Sequence, residues 1–160
     1  MLRPMVKPDR EPVLTLIQAT GFFTSEEIKV AEELIDIYLT SPAQSDYLIV
    51  VAENGSKKVT GYLTYGPTPL TDGTWDLYWI AVSPDEQGQG YGQALVNWLE
   101  EEVKKKTGRL IVIETSSQPK YEPTRKFYEK LGYNELARIP DFYRQGDDRV
   151  IFGKYFRSKE

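Results

Sequence analysis

The stretch Gln87 to Gly92, reading QGQGYG, lies between an apolar run and an amphipathic segment, and it constrains the fold more than any other part of the chain. Before it, Leu77 to Val82 (LYWIAV) is nearly continuous in apolar and aromatic residues, the pattern of a strand buried on both faces, and Ser83-Pro84 ends it. After it, Tyr91, Leu95, Trp98, Leu99 and Val103 recur at helical spacing, with Glu100 to Glu102 and Lys104 to Lys106 filling much of the opposite face. The glycines therefore open a helix. A helix N-terminus leaves backbone N–H groups unpaired and carries a partial positive charge, and closely spaced glycines let an anion approach without meeting a Cβ. The loop holds no Lys or Arg, so it suits a diphosphate held by main-chain donors.

Two nucleotide readings fit poorly. A phosphate-binding loop of the Walker type needs Gly-Lys-Ser/Thr, whereas Gly92 is followed by Gln93 and Ala94. A dinucleotide fingerprint starting at Gly88 and Gly90 needs a third glycine where Gln93 stands, although Glu114 lies about where a ribose-binding acid would. The plain alternative is a strand-to-helix turn with no ligand.

Composition narrows the chemistry. The 160 residues suit one domain, 1–160, able to bury about two-thirds of its unfolded surface. The formal charge of −4 argues against a nucleic-acid partner and favours a cationic one. With no Cys there are no disulfides, thiolate metal sites or thiol nucleophiles; with no His there is no Ser-His-Asp triad, and any acid or base is Asp, Glu, Tyr, Lys or a terminus. No metal site is expected. No apolar run reaches the roughly twenty residues of a membrane span, and MLRPMVKPDREP lacks the apolar core of a signal peptide, so the expectation is a cytoplasmic protein with no membrane partner.

Along the chain, residues 1–10 show no periodicity and are expected to fray or lie along the surface. Val13 to Ala19 fits a strand or a short helix, with strand the expectation. Thr24-Ser25-Glu26-Glu27 is a capping box that starts a helix, with Ile28, Ala31, Leu34, Ile35 and Tyr38 as its buried stripe. Tyr47 to Ala52 and Val59 to Tyr65 read as an antiparallel hairpin around Asn54-Gly55, and Gly66 to Gly73 as a loop that could border a substrate site. Gly108 suits a left-handed cap after the long helix; Leu110 to Thr115 reads as a strand; Pro123 to Leu131 reads as a helix closed by Gly132, with Phe127 and Leu131 as its core face. Tyr133 to Ile139 and Arg149 to Phe156 read as final strands joined by a loop over Asp141 to Asp148. The sum is an α/β (α+β type) domain with a mixed, mostly antiparallel sheet of about six or seven strands and about four helices.

With its flanks, the glycine stretch resembles the acetyl-CoA-binding motif of the GCN5-related N-acetyltransferase (GNAT) family, in which Arg or Gln is followed by two residues, Gly, any residue, then Gly or Ala: Gln87, Gly90 and Gly92. The preceding WDLYWIAVSP and the later FYEKLGY, Phe127 to Tyr133, also look like that family, so the resemblance covers the chain well from about residue 70 and residues 1–70 more loosely. It implies the GNAT acyl-CoA N-acyltransferase fold, in which a central pair of parallel strands splays apart to admit a pantetheine arm.

The resemblance also implies site residues. Acetyl-CoA as acyl donor would lie along Ile80, Ala81 and Val82, with its diphosphate on Gln87, Gly88, Gln89, Gly90, Tyr91, Gly92 and Gln93. Tyr128 falls on the tyrosine that commonly protonates the CoA sulfur, and a phenol remains protonated at neutral pH. Asp76, five residues before Ala81, falls where several relatives carry a glutamate acting as general base through water. Tyr121 stands where many relatives have an Asn that bonds the pantetheine, and Thr124 fills the small position that follows. Asp72, Asp141, Asp147 and Asp148 could recognise a cationic acceptor. The preferred reading is acetyl transfer to a primary amine of a small molecule or protein by direct attack in a ternary complex, and the resemblance admits a homodimer. The alternative is a non-catalytic acyl-CoA-binding sensor or interaction module.

Overall fold

The computed structural model describes residues 1–156. Its elements run β1 (Leu2–Pro4), α1 (Arg10–Ala19), α2 (Ser25–Thr40), β2 (Leu48–Glu53), β3 (Val59–Pro67), β4 (Thr74–Val82), α3 (Tyr91–Lys105), β5 (Leu110–Ser116), α4 (Glu122–Lys130), β6 (Asn134–Arg144) and β7 (Asp147–Tyr155). The strands form one sheet in the order β1-β2-β3-β4-β5-β7-β6, antiparallel throughout except for β4 beside β5.

Period-two alternation sends side chains to two separate cores. On one face Val50, Leu63, Trp75, Leu77, Ile111, Ile113 and Phe152 pack with Leu95, Val96, Leu99 and Val103 of α3 and Tyr128 of α4. On the other, Ile49, Val51, Tyr62 and Ala81 pack with Val13, Leu16 and Ile17 of α1 and Ala31 and Ile35 of α2. At the centre β4 pairs with β5 only from Thr74 to Leu77, opposite Leu110 to Ile113. Against β3, Thr64 faces Trp79 and Tyr65 faces Leu77, so Tyr78 is one extra residue in β4. This bulge switches the strand's phase: Trp75 and Leu77 face the α3 side before it, and Ile80 and Val82 face the same side after it. Beyond the bulge the β4 edge toward β5 has no strand partner.

Several expectations are corrected. Residues 1–10 do not fray: β1 pairs with β2, Met5 is buried, and the buried Asp9 takes both guanidinium arms of Arg3 at 2.7 and 2.9 Å. Val13 to Ala19 is helix, because Val13, Leu14, Leu16 and Ile17 form one stripe at helical spacing that docks on the sheet. The hairpin at Asn54 forms, but the left-handed residue is Lys57, with Asn54 Oδ1 accepting from the Ser56 and Lys58 N–H groups. After α3, Thr107 is the left-handed residue, whereas a Cβ at Gly108 would lie 2.3 Å from Val103 and 2.8 Å from Trp75. Glu100, expected on the solvent face of α3, is buried, accepting from Tyr133 Oη and Lys154 Nζ at 3.0 Å each. In α4 the fully buried side chain is Tyr128, with Phe127 and Leu131 packed at the margin of that core. The span Asp141 to Asp148 is mostly strand: β6 and β7 extend to a tight turn at Gln145-Gly146, where Gly146 N–H donates to Asp141 Oδ1 at 2.7 Å. No helix among the described residues is long and apolar enough to cross a membrane.

Candidate active site

The glycine loop has the geometry of an anion cradle. Gly88 and Gly90 have φ of 80° and 88°, a region that L side chains rarely adopt, and nothing lies within 4 Å of where their Cβ atoms would be. Gly90 caps α3, whose first backbone bond runs from Ala94 N–H to the Gly90 carbonyl at 2.9 Å. The N–H groups from Gly88 to Gln93 donate to no group among the described residues, and the first turn of α3 carries no acid. They are therefore left for an outside acceptor, with the positive end of the helix dipole behind them. Gln87 Nε2 donates to the Val82 carbonyl at 3.3 Å and ties the loop to the end of β4. At Gly92 a Cβ would press Phe127 at 3.3 Å, so this glycine admits α4 against α3.

From the cradle a cavity of about 1330 Å³ runs through the opening between β4 and β5 to the α1–α2 side of the sheet. That exceeds the roughly 300–1,000 Å³ of a single small-ligand pocket, so there is room for two reactants. Of the cradle residues Gln87, Gly88, Gly90, Tyr91, Gly92 and Gln93 line it, joined by Ile80, Ala81 and Val82 from β4; Gln89 does not. Tyr121, Tyr128 and Asp76 line it as well.

Tyr128 is only 3% exposed, with its ring against Phe127, Tyr133 and Phe152. Its hydroxyl has no hydrogen-bond partner among the described residues and is not fully enclosed, so it opens on the cavity. Burial raises its pKa well above that of a free phenol, and it holds its proton at neutral pH. Asp76, on the opposite face of β4 from Trp75 and Leu77, accepts from Thr68 Oγ1 at 2.6 Å and from Tyr78 Oη at 3.4 Å. Burial first, and then the Asp76 charge, push the Tyr78 phenol up to about 12, so it stays a donor. Of the Gly66 to Gly73 connection, Gly66 pairs with Asp76 across β3 and β4, and Thr68 bonds the Asp76 carboxylate.

The far wall adds Phe22, Phe23 and Tyr143, which sequence reasoning did not single out, to Tyr121, Glu114 and Asp147, which it did. Phe22 and Phe23, just before the α2 capping box, meet Tyr121 and Trp79 edge to face at 4.8 and 5.4 Å. Tyr143 Oη donates to Glu114, which also pairs with Arg149. Of the four aspartates considered for a cationic acceptor, only Asp147 lines the cavity. Asp148 pairs with Arg138, and Asp141 closes the β6–β7 turn. The paired aromatics ahead of the Thr24 box were the one local signal available; Ser116 and Asp147 meet only through the β5–β7 pairing. No group of three acidic side chains among the described residues is placed to hold a metal ion.

The sequence model of the acetyltransferase (GNAT) domain matches residues 45–135. A solved structure from Desulfovibrio desulfuricans, provisionally assigned to the GNAT acetyltransferases, is 43% identical with a TM-score of 0.91, covering 97% of this chain and 98% of that one. An aminoglycoside 6'-N-acetyltransferase solved with coenzyme A shares the fold at a TM-score of 0.76 and 19% identity, covering 100% and 99% of the two chains. Among characterised proteins, S-(2-succino)cysteine N-acetyltransferase of Bacillus subtilis strain 168 is 29% identical over 75 residues. That match takes in 47% of this chain and 46% of the relative, less than half the relative's length. With more than half of its length matched by the family and its whole fold shared with a 43% identical structure, the chain belongs to the GNAT N-acetyltransferases.

Proposed function

We propose that the chain transfers an acetyl group from acetyl-CoA to a primary amine by direct attack in a ternary complex. The observation that carries this reading is the continuity of one cavity from the unpaired N–H groups of Gly88 to Gln93, along the free β4 edge, to Tyr128 and Asp76. The diphosphate takes the cradle, and the pantetheine amides take the β4 edge from Tyr78 to Val82 in place of the missing strand. Unpaired main-chain N–H groups on that edge polarise the thioester carbonyl, as donors do in an oxyanion hole. Asp76 receives the proton that the acceptor ammonium must lose, through water, because an Asp side chain is short. The amine nitrogen then bonds to the acetyl carbon as the carbon–sulfur bond breaks, and its second proton leaves through water. Tyr128 gives its proton to the departing thiolate and is reprotonated from that water. Direct attack is also favoured because the chain has neither a Cys thiolate nor a His-activated hydroxyl on which an acyl-enzyme could form.

A thermal melt with acetyl-CoA, CoA, NAD and ATP in parallel tests the donor. A ligand at one hundred times its Kd stabilises by about 2.7 kcal/mol, which for a domain of this size raises Tm by roughly 5–11 °C. The expected result is stabilisation by acetyl-CoA and CoA alone, followed by CoA release with a primary amine. A shift with NAD or ATP instead, or with none of the four, removes the reading. Binding without turnover on any amine would leave an acyl-CoA-binding module.

A further inference from the structure

The reaction above gives no task to the wall of the cavity where β7 begins, and that wall carries a buried carboxylate. The Asp147 side chain is 4% exposed. Its Oδ1 accepts from Ser116 Oγ at 2.5 Å. Its Oδ2 accepts no hydrogen bond: the nearest cation, Arg144 Nε, stands 3.9 Å away on a side chain that is 71% exposed, beyond hydrogen-bonding distance. Oδ2 is not fully enclosed, and Asp147 lines the cavity, so this oxygen opens on it. A carboxylate withdrawn from water whose nearest cation stands beyond hydrogen-bonding distance is incompletely compensated, and an ammonium brought by the acceptor would complete it.

The surrounding rings suit the same charge. Phe22 and Tyr121 already carry the Lys120 ammonium over their faces at 5.3 and 5.0 Å from the ring centroids. Burial first, and then the charges of Glu27 and Asp147, raise the Tyr121 phenol, with the Arg144 charge opposing them.

Asp147 and Asp76 are too far apart to serve one amine. Asp76 is the β4 partner of Val112, whereas Asp147 is bonded to Ser116, four positions further along β5. At about 3.3 Å per residue the two anchor points lie roughly 13 Å apart along the strand.

Resting on the acetyl-transfer reading, we propose that Asp147 binds a second positive charge of the acceptor. The preferred acceptor is then a long diamine or polyamine, with its reacting nitrogen toward Asp76 and its distal ammonium on Asp147 beside Tyr121 and Phe22. In the competing arrangement Arg144 closes on Asp147, and the wall has no preference for cations.

The test compares spermidine with butylamine as acceptors for the full chain, following CoA release at fixed ionic strength. The expected kcat/KM is at least about tenfold higher for spermidine, mostly through KM, and the ratio falls toward one in Asp147→Asn, which keeps a polar partner for Ser116. Calorimetric titration of spermidine in the presence of CoA needs no turnover. Kd is expected to weaken about tenfold in Asp147→Asn but not in Glu129→Gln, which removes one exposed charge from α4. Equal kcat/KM for the two amines in the wild type, or a spermidine Kd that Asp147→Asn and Glu129→Gln shift alike, overturns the proposal. Should Asp147→Asn not fold, the wild-type ratio alone decides. Failure of the acetyl-transfer reading looks different: no stabilisation by acetyl-CoA, and no CoA released with either amine.

Discussion

Tyr128→Phe separates a catalytic hydroxyl from a packing side chain, because the two roles predict opposite changes. The ring contacts to Phe127, Tyr133 and Phe152, at 5.4, 6.1 and 6.4 Å between centroids, survive the substitution. The hydroxyl donates to nothing among the described residues, so no internal hydrogen bond is lost, and stability should hold or rise by up to about 1 kcal/mol. The Tm should therefore stay within about 4 °C of wild type or increase. If the hydroxyl is the acid for the departing thiolate, kcat falls by about 10²–10⁴, which corresponds to roughly 2.7–5.4 kcal/mol of barrier. Acetyl-CoA stabilisation in the melt should be nearly unchanged, since the cradle and the β4 edge are untouched. Burial raises the Tyr128 pKa, so the wild-type kcat profile should show no loss attributable to this group below about pH 10. Thiol release in steady state, with melts on the same preparations, measures all three quantities. A kcat within about twofold of wild type would remove Tyr128 from the mechanism. A Tm drop of many degrees would mean that the hydroxyl has a partner the structure does not contain.

Gly90→Ala places a side chain at φ 88° in otherwise open space, so it should cost about 1–2 kcal/mol of stability and shrink the shift produced by acetyl-CoA; melts with and without ligand check both. Tyr133→Phe removes one donor to the buried Glu100 and leaves it, among the described residues, Lys154 alone, so the urea midpoint should fall by an amount worth about 1–3 kcal/mol; an unchanged midpoint would mean water replaces the phenol. For Asp9, burial pushes the carboxyl pKa up, but Arg3 and the Val6 N–H outweigh it and the net shift is downward. The stabilisation is thus present above the unfolded carboxylate range and is lost as pH falls below about 4 toward the depressed value. Arg3→Met should flatten that acid limb in urea titrations, and a limb of unchanged steepness would assign the acid sensitivity to other groups.

What was legible in the sequence depends on how locally each feature is specified. The Thr24 box announces α2 because its two hydrogen bonds join residues three apart. The cradle is legible for the same reason: Gly88 and Gly90 act on a backbone within their own turn. Val13, Leu14, Leu16 and Ile17 are ambiguous because so short an apolar run fits either period, and only docking on Val51 and Tyr62 selects the helix. Gly108 has the sequence context of a cap, whereas its requirement comes from Val103 and Trp75 closing over it. Glu100 read as solvent-facing because its partners, Tyr133 and Lys154, arrive thirty-three and fifty-four residues later. The assembly of the far wall is less legible still: Tyr121 and Asp147 stood out singly, but they meet Phe22 and Tyr143 only because three separate segments of the chain converge there.

The bulge at Tyr78 shows why the centre of the site was beyond a reading of pattern. LYWIAV is apolar at every position, so no alternation betrays the phase switch between Leu77 and Ile80, and the extra residue exists only in the register against Thr64 and Tyr65. Without it β4 would stay in phase and could keep pace with β5 to its end. With it, β4 leaves β5 after Leu77, and an edge of main-chain donors opens beside Tyr128. The glycine loop specifies where an anion binds; the misfit of one residue on β4 opens the edge along which the proposed donor would lie.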